Sequence, residues 1–136
     1  MVRRLVYKST QYSTNEFSQT VQKALKQSGI FSDTSDELLF ALVDLIKIIE
    51  VKGGERLLTQ DENSSSMQVL ISGRLLAVKR NTDGSDTRLT EIGPGSSVGE
   101  IGLILQQPRT ADVYAIRDSS VAELDKEAFE QLLKAH

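Results

Sequence analysis

A glycine-rich run is the part of this 136-residue sequence whose residue types and spacing could do chemistry. Residues 93–104 read Gly-Pro-Gly-Ser-Ser-Val-Gly-Glu-Ile-Gly-Leu-Ile. Glycine loses much conformational freedom on folding, so such a cluster indicates tight turns or a backbone that a ligand approaches closely. If residues 100–105 form one helical turn, its first amides lack intrahelical acceptors and, with the helix dipole, favour a bound anion. The run therefore predicts a phosphate site.

Two other phosphate-binding motifs do not fit the residues around this run. Gly93-Pro94-Gly95 begins like a dinucleotide fingerprint, but no βαβ pattern surrounds it. No Gly-Lys followed by Ser or Thr is present after the glycines, as a Walker loop requires. The surrounding residues therefore exclude both the dinucleotide fingerprint and the Walker loop.

Composition excludes several classes of function. The net charge of −3 gives no general attraction to nucleic acid, so no nucleic-acid partner is expected. The absence of cysteine excludes thiol nucleophiles, disulfides and zinc–cysteine sites. A cupin-like metal enzyme would need converging histidines or carboxylates, and the single histidine is His136. We therefore expect neither catalytic residues nor a metal site.

The length and the apolar pattern predict one domain in the cytoplasm. A chain of 136 residues fits a single domain with its own core. No apolar run approaches the roughly 20 residues of a membrane span, so no membrane insertion is expected. The N-terminus lacks the apolar region of a signal peptide.

Helical patterns precede the rest of the domain. Residues 1–12 show no clear period and are predicted to be an arm or linker, and residues 13–136 are predicted to be the domain. Within it, residues 13–46 form a helical lead-in that opens with a capping box, Ser13-Thr14-Asn15-Glu16. A second helix start lies in residues 31–36.

From residue 47 to residue 124 the apolar pattern alternates, which predicts strands. The predicted strands are 47–51, 56–59, 67–71, 74–80, 88–92, 112–117 and 121–124, with a turn at residues 72–73 among those that separate them. Short strands at close spacing favour an antiparallel sandwich or barrel. Asp125 is predicted to cap a last helix over residues 125–136. The fold class is α+β and mainly β.

Residues 98–113 resemble the phosphate-binding cassette of cyclic nucleotide-binding domains. They read Val-Gly-Glu-Ile-Gly-Leu-Ile-Leu-Gln-Gln-Pro-Arg-Thr-Ala-Asp-Val. The family pattern is Phe-Gly-Glu-Leu-Ala-Leu, an apolar residue, three variable residues and Pro-Arg-x-Ala-x-Val, so the spacing from glutamate to arginine matches. Gly54-Glu55-Arg56-Leu57 and Leu70-Ile71-Ser72-Gly73-Arg74 resemble flanking landmarks. Catabolite activator and protein kinase A regulatory subunits carry such domains. The resemblance implies an antiparallel double-stranded β-helix, or jelly-roll barrel, flanked by N-terminal helices and a C-terminal helix, with a short helix in the cassette.

The resemblance implies a site for cyclic AMP or cyclic GMP, with no other cofactor. Arg109 would pair with the charged exocyclic oxygen of the phosphate, since a planar guanidinium offers two donors to it. Glu100 would accept a hydrogen bond from the ribose 2′-hydroxyl. Further ligand contacts are the backbone of Gly99, Ile101 and Gly102 and the wall formed by Thr110 and Ala111.

The sequence leaves open which base is preferred and what two departures from the family pattern do. Thr110 permits either base, and Arg88 could reach a purine edge or be a surface charge. Asp61 stands where the family often has a turn glycine, so its loop could be rearranged. Asp112 stands where the family often has Thr or Ser. Its carboxylate could oppose an anionic ligand or could point away, because alternate strand residues face opposite sides.

The resemblance implies a regulatory sensor module and not an enzyme. Ligand capture would shift Leu103 against an apolar face of the last helix, formed by Phe129, Leu132 and Leu133. The partners expected are a cyclic nucleotide, a fused or associated effector domain and a second copy in a homodimer. The alternative is a degenerate domain that serves as a dimerisation or docking module without ligand.

Overall fold

Helices flank the strands in the computed structural model, which describes residues 4–8, 15–99 and 107–135. The helices are α1 (Asn15–Gln27), α2 (Asp36–Val43) and α3 (Lys126–Ala135), with a 3-10 turn at Gly29–Phe31. Ser35 caps α2, because its hydroxyl accepts the Leu38 amide proton at 3.2 Å and satisfies a donor that the helix leaves open. Ser13 and Thr14 of the predicted capping box, and the predicted short helix in the cassette, lie outside the described residues.

The described strands pair in antiparallel fashion throughout. They are β1 (Arg4–Lys8), β2 (Lys47–Val51), β3 (Arg56–Leu58), β4 (Asn63–Ser64), β5 (Ser66–Arg80), β6 (Asp86–Ile92), β7 (Ser97–Val98), β8 (Gln107–Pro108) and β9 (Asp112–Asp125). The main sheet runs β1-β2-β9-β5-β6, with β3 on β9 and β7 on β5, and β4 pairs with β8. The prediction of a mainly β, antiparallel fold flanked by helices is confirmed.

β5 is one long strand, and the turn predicted at residues 72–73 is wrong. The strand continues through Gly73, with register shifts against β9. Five steps along β5 from Leu70 to Leu75 oppose six steps along β9. Leu70 and Leu75 are buried in the same cluster although an odd number of steps separates them, so the bulge reverses which residues face inward. In the sequence, the alternation of apolar and polar residues shifts by one position at this bulge, and such a shift looks like the end of one strand and the start of the next. β9 likewise joins the two strands predicted over residues 112–117 and 121–124.

Residues 4–8 form an edge strand, whereas the sequence pattern predicts an arm or linker there. β1 pairs with β2, with Arg4 opposite Glu50 and Lys8 opposite Lys47. Five residues are too few to display a period. The strand depends on the edge that β2 offers, and local sequence does not reveal that partner.

Two hydrophobic clusters divide the interior. The first joins the helices to the sheet and includes Leu25, Leu42, Met67 and Val69. The second lies among the strands and includes Leu70. Met67 and Val69 therefore face the helices, while Leu70, one residue further on, faces the strand-lined interior, as the period of two requires.

α3 packs on the first cluster through two of the three residues predicted to form its apolar face. Phe129 and Leu132 contact that cluster, and the Phe129 ring meets the Phe31 ring edge-on with centroids 5.8 Å apart. Leu133 is 48% exposed, so it faces outward. α3 thus packs on the first cluster, which joins the helices to the sheet, and on the turn between the N-terminal helices.

The described residues contain neither a candidate membrane-spanning helix nor a candidate metal site. None of their helices is both long enough and apolar enough to cross a membrane. No group of three or more acidic, histidine or cysteine side chains among them is arranged to hold a metal ion.

Candidate functional site

A cavity of about 330 Å³ opens between the glycine-rich run, β6 and the start of β9. Small-molecule sites occupy roughly 300–1,000 Å³, so its size suits a compact ligand. Four of the residues that the sequence predicts for the site line this cavity: Gly99, Arg109, Thr110 and Ala111. Four others lie outside the described residues: Glu100, Ile101, Gly102 and Leu103.

Arg109 is held by both its main chain and its side chain. Its N–H donates to the Glu62 carbonyl at 2.8 Å, and the Asp61 N–H donates to the Arg109 carbonyl at 2.8 Å. Nη2 lies 3.3 Å from Ser66 Oγ and 3.4 Å from the Ser66 carbonyl oxygen. Of the described residues that line the cavity, Arg109 alone is charged. An anion is therefore the ligand class that this lining favours.

A buried polar chain supports the Ser66 contact. Gln68, which is 1% exposed, donates from Nε2 to Ser66 Oγ at 3.0 Å and to Glu123 Oε2 at 2.7 Å. Buried polar groups of this kind restrict one another's orientation when they are hydrogen-bonded. Ser66 Oγ is therefore held by Gln68 as well as by Arg109.

Gly99 makes room for the guanidinium. Its φ is +79°, a conformation that glycine adopts without penalty. A Cβ at this position would collide with Arg109 Nη1 and lie 3.0 Å from the Ser66 carbonyl oxygen. The absence of a side chain at residue 99 is thus required by the placement of Arg109.

The Asp112 carboxylate points away from the cavity. Ala111 and Val113 line the cavity, whereas Asp112 does not and is 1% exposed. Its Oδ2 accepts from Arg80 Nε at 3.1 Å and lies 3.9 Å from Arg56 Nη1. Of the two orientations left open by the sequence, the structure has the one in which this charge is neutralised by arginines and does not face the cavity.

A bulge in β6 decides which of its residues reach the cavity. Ala77 pairs with Thr90 and Val78 with Arg88, so Leu89 is an extra residue between the two pairs. Leu89 and Thr90 both line the cavity, while Arg88 is exposed and is not part of the lining. The alternating pattern of the sequence gave no indication of this bulge.

The rest of the described lining is mainly apolar. It includes Leu58, Ala77, Val98 and Val113, to which sequence reasoning assigned no contact. The only property in the sequence that could have identified them as lining residues is that they are apolar and lie in predicted strands or in the cassette. The described lining thus combines apolar surface with one charged group, Arg109.

Asp61, which stands where the family pattern often has a turn glycine, has a backbone conformation that favours glycine. Its φ is +73°, in the left-handed region. We expect Asp61→Gly to leave the free energy of unfolding unchanged or to raise it by up to about 1 kcal/mol, because strain in this region costs L-residues about 1–2 kcal/mol and Asp is among the least affected. Asp61→Val should lower it by about 1–2 kcal/mol, since a β-branched residue tolerates this region poorly. Urea denaturation of both variants measures the difference, and equal stabilities would contradict a left-handed Asp61.

Sequence comparison places this chain among known proteins. The sequence model of the cyclic nucleotide-binding domain matches residues 48–136. Lysophospholipase nte1 of Aspergillus oryzae is 31% identical over 99 residues, which is 73% of this chain. The match covers 6% of that relative, so the chain corresponds to one short segment of a much longer protein.

Structure comparison identifies the fold. The regulatory domain of Toxoplasma gondii PKA, crystallised with cAMP, superimposes with a TM-score of 0.82 over 89% of this chain and 46% of that one, at 21% identity. A cyclic nucleotide-binding-like protein from Brucella abortus superimposes with a TM-score of 0.76 over 84% of this chain and 97% of that one, at 20% identity. At these identities the similarity establishes the β-roll with flanking helices and no more.

Proposed function

Because the chain belongs to the cyclic nucleotide-binding domain family, we propose that it is a non-enzymatic sensor module that binds cyclic AMP or cyclic GMP. The observation that carries the proposal is the position of Arg109, the one charge among the described residues of an otherwise uncharged cavity lining. A cyclic nucleotide has the matching chemistry, with one anionic phosphate and one flat base whose two faces are apolar.

The phosphate is proposed to lie against Arg109. The guanidinium is held near Gly99 and Ser66, so its donors are ordered before a ligand arrives. The backbone of Gly99, Ile101 and Gly102 would complete the cradle. Glu100 is proposed to accept the 2′-hydroxyl proton of the ribose, which would select ribonucleotides over deoxyribonucleotides.

The base is proposed to lie against Leu89, Thr90 and the apolar strand residues, with Thr110 and Ala111 as the wall next to the phosphate. The Thr110 hydroxyl can meet the 2-amino group of guanine, and it does not hinder adenine. Arg88, exposed beside Leu89, remains a candidate for contact with the purine edge at the mouth of the cavity. Both bases are therefore kept in the proposal.

Movement of α3 is the proposed output. Capture of the phosphate would shift Leu103 relative to α3, whose Phe129 and Leu132 contact the first hydrophobic cluster. A change at α3 would then reach α1 and α2 through that cluster. A fused or associated effector, as the length of the fungal relative suggests, or a second copy in a homodimer, would receive this change in the cytoplasm.

Calorimetric titration with cyclic AMP and with cyclic GMP tests the proposal, on the purified chain after bound nucleotide has been excluded. We expect saturable heat with at least one nucleotide and slower hydrogen exchange in α3 when that nucleotide is bound. A ligand at a hundredfold excess over its Kd should also raise the free energy of unfolding by about 2.7 kcal/mol. Absence of both heat and thermal shift with either nucleotide would favour the alternative, a docking or dimerisation module without ligand.

A further inference from the structure

Three residues outside the cavity are joined to one another by hydrogen bonds, and we name them the Gln60 latch: Gln60, Arg80 and Asp112. The Gln60 N–H donates to Asp112 Oδ1 at 2.7 Å, and Arg80 Nε donates to Asp112 Oδ2 at 3.1 Å. The Arg80 N–H donates to Gln60 Oε1 at 2.7 Å, and Gln60 Nε2 donates to the Arg80 carbonyl at 3.1 Å. Main chain and side chain of Gln60 are thus both fixed.

The latch adjoins the loop that holds Arg109. Asp61, the next residue, donates its N–H to the Arg109 carbonyl, and Glu62 accepts the Arg109 N–H, each at 2.8 Å. Asp61 has a positive φ, which a loop without anchors would readily lose. The latch supplies an anchor directly before this strained residue.

None of the latch residues lines the cavity. Asp112 is 1% exposed, so a ligand in the cavity does not contact its carboxylate. Asp112 accepts from Gln60 and Arg80 through two separate oxygens and carries a negative charge, whereas the Thr or Ser of the family pattern has one neutral hydroxyl oxygen. The latch is therefore a feature of this chain that lies behind the binding wall.

We propose that the Gln60 latch positions Arg109, so that its residues set the affinity for a phosphate ligand without touching it. This inference rests on the proposed function. Loss of the latch frees the loop, which weakens the two main-chain hydrogen bonds of Arg109 and spreads its guanidinium over several positions. At metal sites, an outer partner that orients a ligating side chain typically changes affinity by about 10–100-fold, and we expect an effect toward the lower end of that range here.

Affinity and local exchange in matched variants test the latch. We expect Asp112→Ala to raise the Kd for the nucleotide that the wild type binds by about tenfold and to speed hydrogen exchange of the Asp61 and Arg109 amides. Asp112→Asn keeps an oxygen for the Gln60 amide, so it should raise the Kd and the two exchange rates less than Asp112→Ala does. Gln60→Ala is a milder change at a partly exposed residue and can be measured if Asp112→Ala does not fold. It should also raise the Kd and speed exchange of the same two amides.

Val121→Ala is the control, because Val121 is fully buried in the second cluster and neither lines the cavity nor belongs to the latch. It should lower stability and leave both the Kd and the two amides unchanged. Equal Kd values for Gln60→Ala, Asp112→Ala and this control would overturn the inference. If the wild type binds neither nucleotide, the proposed function fails, and the exchange rates at Asp61 and Arg109 alone decide whether the latch positions this segment.

Discussion

Arg109→Ala should raise the Kd for the bound cyclic nucleotide by about 100-fold or more. Each charge-assisted hydrogen bond contributes about 1.5–3 kcal/mol, and a guanidinium can make two to one phosphate. A loss of about 3 kcal/mol corresponds to a factor of more than 100 in Kd. The effect should be large here because no other charged side chain among the described residues lines the cavity. Titration calorimetry at constant salt measures it.

Two further variants separate the geometry of this contact from its charge. Arg109→Lys keeps the charge but not the planar fork, so it should recover only part of the affinity. Arg117→Ala removes one positive charge from an exposed position on β9 outside the cavity lining and should leave the Kd within about twofold, since exposed charges at a distance are screened. An unaltered Kd in Arg109→Ala would place the phosphate elsewhere and remove the basis of the proposed site.

Gly73→Ala should lower the free energy of unfolding by about 3 kcal/mol. The φ of Gly73 is +101°, which costs other residues about 1–2 kcal/mol. A Cβ there would also lie 2.6 Å from Ser119 Cβ and 2.7 Å from the Asp118 carbonyl oxygen, and such overpacking costs about 1–3 kcal/mol. Ser119 cannot readily move aside, because its hydroxyl donates to the Arg117 carbonyl at 2.7 Å. Urea denaturation monitored by circular dichroism gives the value.

Gly84→Ala is the matched control for backbone strain. Gly84 has a φ of +90°, and a Cβ there would meet nothing within 4 Å. Its substitution should therefore cost only the strain, about 1–2 kcal/mol. If Gly73→Ala were no more destabilising than Gly84→Ala, the close approach of Ser119 at the bulge would be refuted.

Patterns confined to one stretch of chain could be predicted from the sequence. The bounds of β2 were predicted to the residue, because the Ile- and Val-rich segment Lys47–Val51 follows a helical pattern and ends just before two turn glycines, Gly53 and Gly54. The cassette placed Gly99 and Arg109 at one site, and the structure brings these two residues together. The contact between them explains the glycine in physical terms, since a side chain at residue 99 would occupy the space of the guanidinium.

Features that depend on a distant partner could not be predicted. The bulge at Leu89 depends on how β6 pairs with β5, and the bulge at Gly73 on how β5 pairs with β9. The orientation of Asp112 is fixed by Arg80, 32 residues earlier in the chain. In each case the local residue types permit two outcomes, and only tertiary pairing selects one.

The division of β5 between two cores limits where this chain can change in length. Met67 and Val69 belong to the helix-side cluster, whereas Leu70 belongs to the other cluster and Gln68 to the buried polar chain. Insertion or deletion of one residue within this stretch would exchange the two sets and turn the Gln68 carboxamide toward the helices. The turn at residues 81–85 carries no such division and is largely exposed. Length variation, and the grafting of a reporter peptide, are therefore compatible with that hairpin tip and not with the segment behind Arg109.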